Sequence, residues 1–235
     1  MNLILKKILR CLSLALIFCV AQVADTKAQK TNSKVSFGFE TGYALFSSGE
    51  FNDYTTWLER EQIDNGFSFN GRLRLRIFKP VGLIVKVGML AAKSKADHLA
   101  PEDKTPALLA SAEDEYKFTS IPVSAGIDYI LPLGKVNLHA EAVAEHHFAK
   151  LRYKIPAISV FNAPEINIAA KDNDTGFSIA AGPEWRLFSR WSLMGKAGYR
   201  AAKISGLQAL KAYLPQDFSL DLSGFFFNIG MEIYP

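Results

Sequence analysis

His139, Glu141, Glu145 and His147, within the run HAEAVAEHH, occupy alternate positions of one short stretch. On an extended strand successive side chains point to opposite faces, so these four share a face. Imidazole and carboxylate converging in this way are the donor types that take a divalent metal, and equally the types that build a buried hydrogen-bond network. The network is the reading taken, with no metal and no cofactor assigned. A second grouping, His146, His147 and Ser159, has the residue types of a hydrolase acting on lipid or peptide. It has neither a nucleophile elbow nor a spacing that would force the three together, so no catalytic residue and no enzymatic activity is expected.

The stretch GRLRLRIF sets Arg72, Arg74 and Arg76 in alternation with Leu73, Leu75 and Ile77. That period of two recurs in eight segments, at 34–46, 67–78, 83–94, 116–131, 135–148, 175–188, 191–204 and 218–235. One side of each segment is an apolar ridge, such as Leu83, Val85, Val87 and Met89. The opposite sides together carry six acids, Glu40, Asp128, Glu141, Glu145, Glu184 and Glu232. They also carry seven bases, Arg72, Arg74, Arg76, Lys86, Arg186, Lys196 and Arg200, with Gly and Ser as spacers. Nearly equal numbers of opposite charge on one set of faces predict a packed ionic interior, because charges enclosed away from water must be paired. Near Gly224 the phase of Leu220 and Leu222 departs from the strand that follows, which predicts a bulge.

About twelve residues at ~3.3 Å each, tilted by roughly 40°, rise about 30 Å, the thickness of a bilayer core. The links KPVG, PLG and SRW are tight turns, while those near 47–66, 95–115, 149–174 and 205–217 are long. One end of the sheet is therefore trimmed and the other elaborated. In the 149–174 link, KIPAISVF and PEINIAA could supply a further hairpin, raising eight strands to ten. Tyr43, Phe46, Phe78, Tyr129, Trp185, Phe188, Trp191 and Tyr234 lie toward strand ends, as an interfacial aromatic girdle would. Short helical pieces are expected in the long links, after Thr105-Pro106, in GLQALKAYLP (206–215) and in YTTWLER (54–60).

Of 235 residues, 49% are hydrophobic and 12% aromatic, which excludes a disordered chain. Residues 1–28 read as a secretory signal peptide: Lys6, Lys7 and Arg10, then an apolar run from Cys11 to Val23, then Thr26-Lys27-Ala28. Residues 29–235 are the mature domain. Removing Lys6, Lys7, Arg10 and Lys27 from 27 bases, and Asp25 from 23 acids, leaves a net charge near +1. That is too small a surplus for a face that neutralises the phosphates of a nucleic-acid backbone, so nucleic acid is excluded as a partner. Both cysteines, Cys11 and Cys19, leave with the signal, so stability must come from packing and hydrogen bonding.

With SIPVSAGIDY, GFSIAAGPEWRLF and the final FFFNIGMEIYP, the whole mature chain resembles the porin-like outer-membrane β-barrel family of Gram-negative bacteria. The fold expected is an all-β, closed, antiparallel, up-and-down transmembrane barrel with a filled, charged lumen. The resemblance implies an outer-membrane location, contact with outer-membrane lipid, and folding by a barrel-assembly machinery that reads a terminal aromatic residue. Here Pro235 is last, so either Tyr234 serves or that step is altered. The function expected is a structural or interaction protein whose extracellular loops meet a protein or glycan. The alternatives are a lipid-directed outer-membrane hydrolase or acyl-modifying enzyme, and a soluble periplasmic lipid-binding barrel with the faces reversed.

Overall fold

The computed structural model describes residues 34–47, 63–97, 113–155, 165–206 and 219–235. The signal segment, Ser159 and the three helical pieces of the long links lie outside these residues. The described chain forms β1 (Val35–Leu45), β2 (Asn65–Phe78), β3 (Val81–Asp97), β4 (Glu113–Leu133), β5 (Val136–Ile155), β6 (Ile166–Arg186), β7 (Trp191–Ile204), β8 (Leu220–Asp221) and β9 (Gly224–Ile233). Each strand pairs antiparallel with the next through β7; β7 pairs with β8 and β9, and β9 pairs with β1, placing Thr41 opposite Ile229. The sheet is thus closed, and β8 and β9 share the eighth place in the ring. Closure removes the edges over the stretch where all eight places are paired, the condition a sheet must meet to sit in hydrocarbon; beyond Ala91 of β3 and before Gly176 of β6 the wall stands above its neighbours.

Short turns join the strands at one end. Gly134, with φ of 71°, makes the β4–β5 turn in a conformation that side chains with a Cβ rarely adopt. At the other end β3 to β6, of 17, 21, 20 and 21 residues, outreach β1, β2, β7 and β9, of 11, 14, 14 and 10. The segment that could have added a hairpin instead lengthens β5 and β6, with Leu151 opposite Ala170 and Lys154 opposite Asn167. Among the described residues the barrel therefore has eight strand places and not ten. The 95–115 link is likewise shortened, since Lys95 still pairs with Glu115.

The apolar ridges face outward. Phe37, Ile77, Val87, Ile127, Phe177 and Ile229 are each more than half exposed, and Tyr129 and Leu75 are close to it. A soluble lipid carrier needs the reverse arrangement, so that alternative fails. A belt of this kind is stable only against acyl chains. Within the lumen the composition changes along the axis. Toward the short turns it is charged, and toward the long links it is apolar: Leu90, Phe118, Leu151, Ile204, Leu220 and Leu222 form one fully buried cluster with Phe46, Ile63 and Phe226.

Two expectations change as a result. Leu220 and Leu222 keep the inward phase of Phe226 and Asn228, so they cap the lumen; the chain is interrupted at Leu222 and Ser223, but its parity does not slip. At Gly224 the backbone closes onto Leu45, where an added Cβ would stand 1.8 Å from the carbonyl oxygen. Phe46 and Tyr234, assigned to the girdle, both point inward and are buried. Tyr43, Phe78, Tyr129, Phe188 and Trp191 are exposed on the outside.

Candidate functional site

The lumen-facing charges come from every strand that spans the barrel, because alternation puts each on the inner face and register brings them level. Glu40 stands on β1, Arg72 and Arg74 on β2, Lys86 on β3 and Asp128 on β4. Further round are His139 and Glu141 on β5, Glu184 on β6, Lys196 on β7 and Glu232 on β9. All are buried except Lys86, whose side chain is 11% exposed.

Arg72 is the hub. Its guanidinium reaches Glu141 at 2.7 Å, Glu40 at 3.0 Å and Asp128 at 3.1 Å. A planar group with five donors is suited to join three carboxylates in this way. Lys196 meets Glu40 at 2.6 Å and also contacts Glu141, and Lys86 meets Glu141 at 2.6 Å. Arg74 bridges the remaining acids: Asp128 at 3.1 Å, Glu232 at 2.9 Å and Glu184 at 3.9 Å.

His139 lies between Asp128 at 3.0 Å and Glu184 at 2.5 Å, one ring nitrogen to each. A doubly protonated imidazole would donate to both carboxylates, while Arg74 Nη1 also lies 3.3 Å from Nδ1. With that charge the layer balances: Arg72, Arg74, Lys86, Lys196 and His139 against Glu40, Asp128, Glu141, Glu184 and Glu232.

Sequence reasoning missed several members of this layer. Ser36 donates to Glu232 and accepts from Arg74 Nε at 3.1 Å. The Tyr234 hydroxyl donates to Glu184 and accepts from Arg74, whose guanidinium lies 5.5 Å from the ring centroid. Asn137 donates to Glu184 at 3.3 Å. Each sits on the inward phase of its strand, the only signal that could have found it. Arg76 and Arg186 are half-buried toward the turn end, the latter 5.6 Å from the Tyr234 ring centroid.

The four residues of HAEAVAEHH that share a face do not form one site. Val143, also inward, separates His139 and Glu141 from Glu145 and His147. The latter pair belong to a smaller cluster: Glu145 binds Arg200 at 2.7 Å, Ser178 at 2.6 Å and His147 Nε2 at 3.1 Å, and Ser120 lies 3.2 Å from His147 Nδ1. Serine, histidine and carboxylate in sequence resemble a hydrolase relay. Here Ser120 and His147 are wholly enclosed between the ionic layer and the apolar cluster. His146 points the other way, edge-on to Phe148 at 4.7 Å, so it cannot join His147 in a common site.

Among the described residues Asp128, His139 and Glu141 offer ligand atoms within 4.8 Å of one another. Those atoms already bind Arg72, Arg74, Lys86 and Lys196, and a further cation would meet four positive groups. The donor set therefore does not fit a metal. What the arrangement does chemically is neutralise itself: it ties the strands together across the lumen and fills the space a pore would need.

A family model described as outer membrane protein beta-barrel domain matches residues 11–231. The outer membrane protein OprG from Pseudomonas aeruginosa is similar in structure, with a TM-score of 0.50 and 11% identity, over 89% of this chain and 98% of that one. Neisserial surface protein A is also similar, with a TM-score of 0.48 and 13% identity, over 88% of this chain and 100% of that one. No curated protein matches the sequence.

Proposed function

The chain belongs to the outer membrane protein beta-barrel family and resides in the outer membrane, and from that premise we propose that it serves as a structural or interaction protein without catalytic activity. The observation that supports this is the doubly filled lumen, an ionic layer toward the short turns and an apolar layer toward the long links. Barrels that pass solutes in bulk have about sixteen strands and a wet interior. Among the described residues both layers fill the lumen with buried side chains, which supports a role at the outer surface rather than in conduction.

Its partners on this reading are outer-membrane lipid around the belt, the assembly machinery during insertion, and a protein or glycan at the extracellular loops. The raised wall of β3 to β6 supports such a role by carrying the links beyond the bilayer. Planar-bilayer recording of the refolded protein tests the sealed lumen: no stepwise conductance is expected, and steady channel openings would reject it. A glycan array probed with the full chain, and with a variant shortened at 98–112 and 156–165, tests the loops. Binding that survives the shortening would remove them from the proposal.

A further inference from the structure

The outer surface of β4 and β5 changes character near the end with long links, and this goes beyond the reading above. Going up the paired strands, the outward residues are Ile127 and Ala142, then Val123 and His146, then Ile121 and Phe148. Above them come Thr119 opposite Lys150, and Lys117 opposite Arg152. Inside, the change is the inverse: Glu145 and His147 give way to Ala149, Leu151 and Tyr153. A wall that is oily outside and charged within becomes charged outside and oily within, so the bilayer surface crosses the barrel at this level.

At that level the cations are placed against one another. Lys117 stands opposite Lys93 on one side and Arg152 on the other, and Lys150 stands opposite both Thr119 and Lys171. Like charges directly across a ladder destabilise a sheet. Glu115 reaches Lys117 at 2.7 Å, but among the described residues Lys93, Lys150, Arg152 and Lys171 have no ion-pair partner. On the outer face over these paired strands lies an open cleft of about 320 Å³ lined by Lys117, Thr119, Ile121, Phe148, Lys150 and Arg152. Its lower wall is apolar, with Ile121 and Phe148 each nearly half exposed, and its upper wall is basic.

We infer that this cleft binds a phosphorylated lipid of the outer leaflet, its headgroup phosphate held by Lys117, Lys150 and Arg152 and one acyl chain lying along Ile121 and Phe148. Charge complementarity selects an anion. The apolar wall beneath selects one that carries a chain. The long-link end of such barrels faces the exterior, which selects the outer leaflet. Bound phosphate would also offset the repulsion between Lys117 and Arg152.

The test uses the full mature protein refolded in zwitterionic detergent, titrated with diphosphoryl lipid A, the same lipid dephosphorylated, phosphatidylglycerol and inorganic phosphate, and read by native mass spectrometry. Lipid A is expected to be retained most strongly and inorganic phosphate not at all. A triple variant, Lys117→Gln, Lys150→Gln and Arg152→Gln, should weaken retention about a hundredfold, at about fivefold for each cation near a charged interface. Lys135→Gln, at the β4–β5 turn, should leave it unchanged. If the triple variant does not refold, Lys150→Gln alone carries the test, with about a fivefold loss. Three results would overturn the inference: equal retention by variant and parent, equal retention of the dephosphorylated lipid, which would mean belt contact only, and equal binding of inorganic phosphate, which would mean a plain anion patch.

Discussion

Arg72 of β2 and Glu141 of β5 meet 2.7 Å apart across the lumen, with side chains 0% and 1% exposed. Between strands not adjacent in the ring, that contact fixes the lumen's cross-section. Replacing Arg72 by Leu leaves Glu40, Asp128 and Glu141 each short of one buried cation. A cost of about 3–5 kcal/mol is expected, because an uncompensated buried charge keeps its full desolvation penalty. Arg74→Leu should cost about 3 kcal/mol for the same reason. Urea unfolding of the refolded barrel in detergent, followed by the shift between folded and boiled bands on a gel, measures both. Full stability in Arg72→Leu would mean the lumen is wetter than these contacts indicate.

Leu73 tests the opposite face with the residue next door. Its side chain points outward into the belt, so Leu73→Arg places a charge in hydrocarbon, at a cost of about 2–4 kcal/mol near the bilayer midplane. Both substitutions are thus harmful, in opposite chemical directions: losing charge inside, gaining it outside. The discriminating control is Leu73→Ile, which should change little, whereas Arg74→Lys should lose stability because an ammonium cannot span the partners a guanidinium joins. The same unfolding assay in lipid vesicles reads all three, and tolerance of Leu73→Arg would contradict the outward placement.

Leu151 is fully buried in the apolar layer at the other end of the lumen. Leu151→Ala opens a cavity beside Phe118 and Tyr153 and should cost about 2–5 kcal/mol. Because the ionic layer below is untouched, the variant should still show no conductance in a planar bilayer. Conductance appearing in Leu151→Ala would show that the apolar layer alone seals the barrel.

Alternation made the outward face legible, since lipid tolerates almost nothing but apolar side chains there and leaves an unbroken ridge. The inner face obeys a looser rule. It must be filled and satisfied, and either charges in balance or close-packed hydrocarbon does this. So Leu220 and Leu222, apolar on the inward phase, read as a slip when they mark the change from one filling to the other. Tyr234 read as a girdle residue because a terminal aromatic has that appearance in any strand ending at an interface. The ion-pair partners themselves depend on registers such as Asp128 opposite Glu141, which place two acids side by side and so call for Arg72 from across the lumen. Strand order and stagger set those distances, and no single segment contains them.

Tyr234 allows the finest test of the inner face. Its hydroxyl donates to Glu184 and accepts from Arg74, while its ring packs under the guanidinia of Arg74 and Arg186. Tyr234→Phe keeps the ring and removes only the hydroxyl, leaving Glu184 and Arg74 each one partner short in an enclosed site. Unpairing a buried charged group in this way should cost about 1–3 kcal/mol. Tyr129, half exposed on the outer face, provides the comparison, and Tyr129→Phe should stay within about 0.5 kcal/mol of the parent. Tyr234→Leu should be worse than Tyr234→Phe, because it gives up the ring contacts with both arginines as well. Urea midpoints for the three variants therefore fall in a set order, with Tyr129→Phe the most stable and Tyr234→Leu the least. If the two phenylalanine variants unfold together, the hydroxyl of Tyr234 carries no part of the ionic layer, and the aromatic residue belongs at the interface.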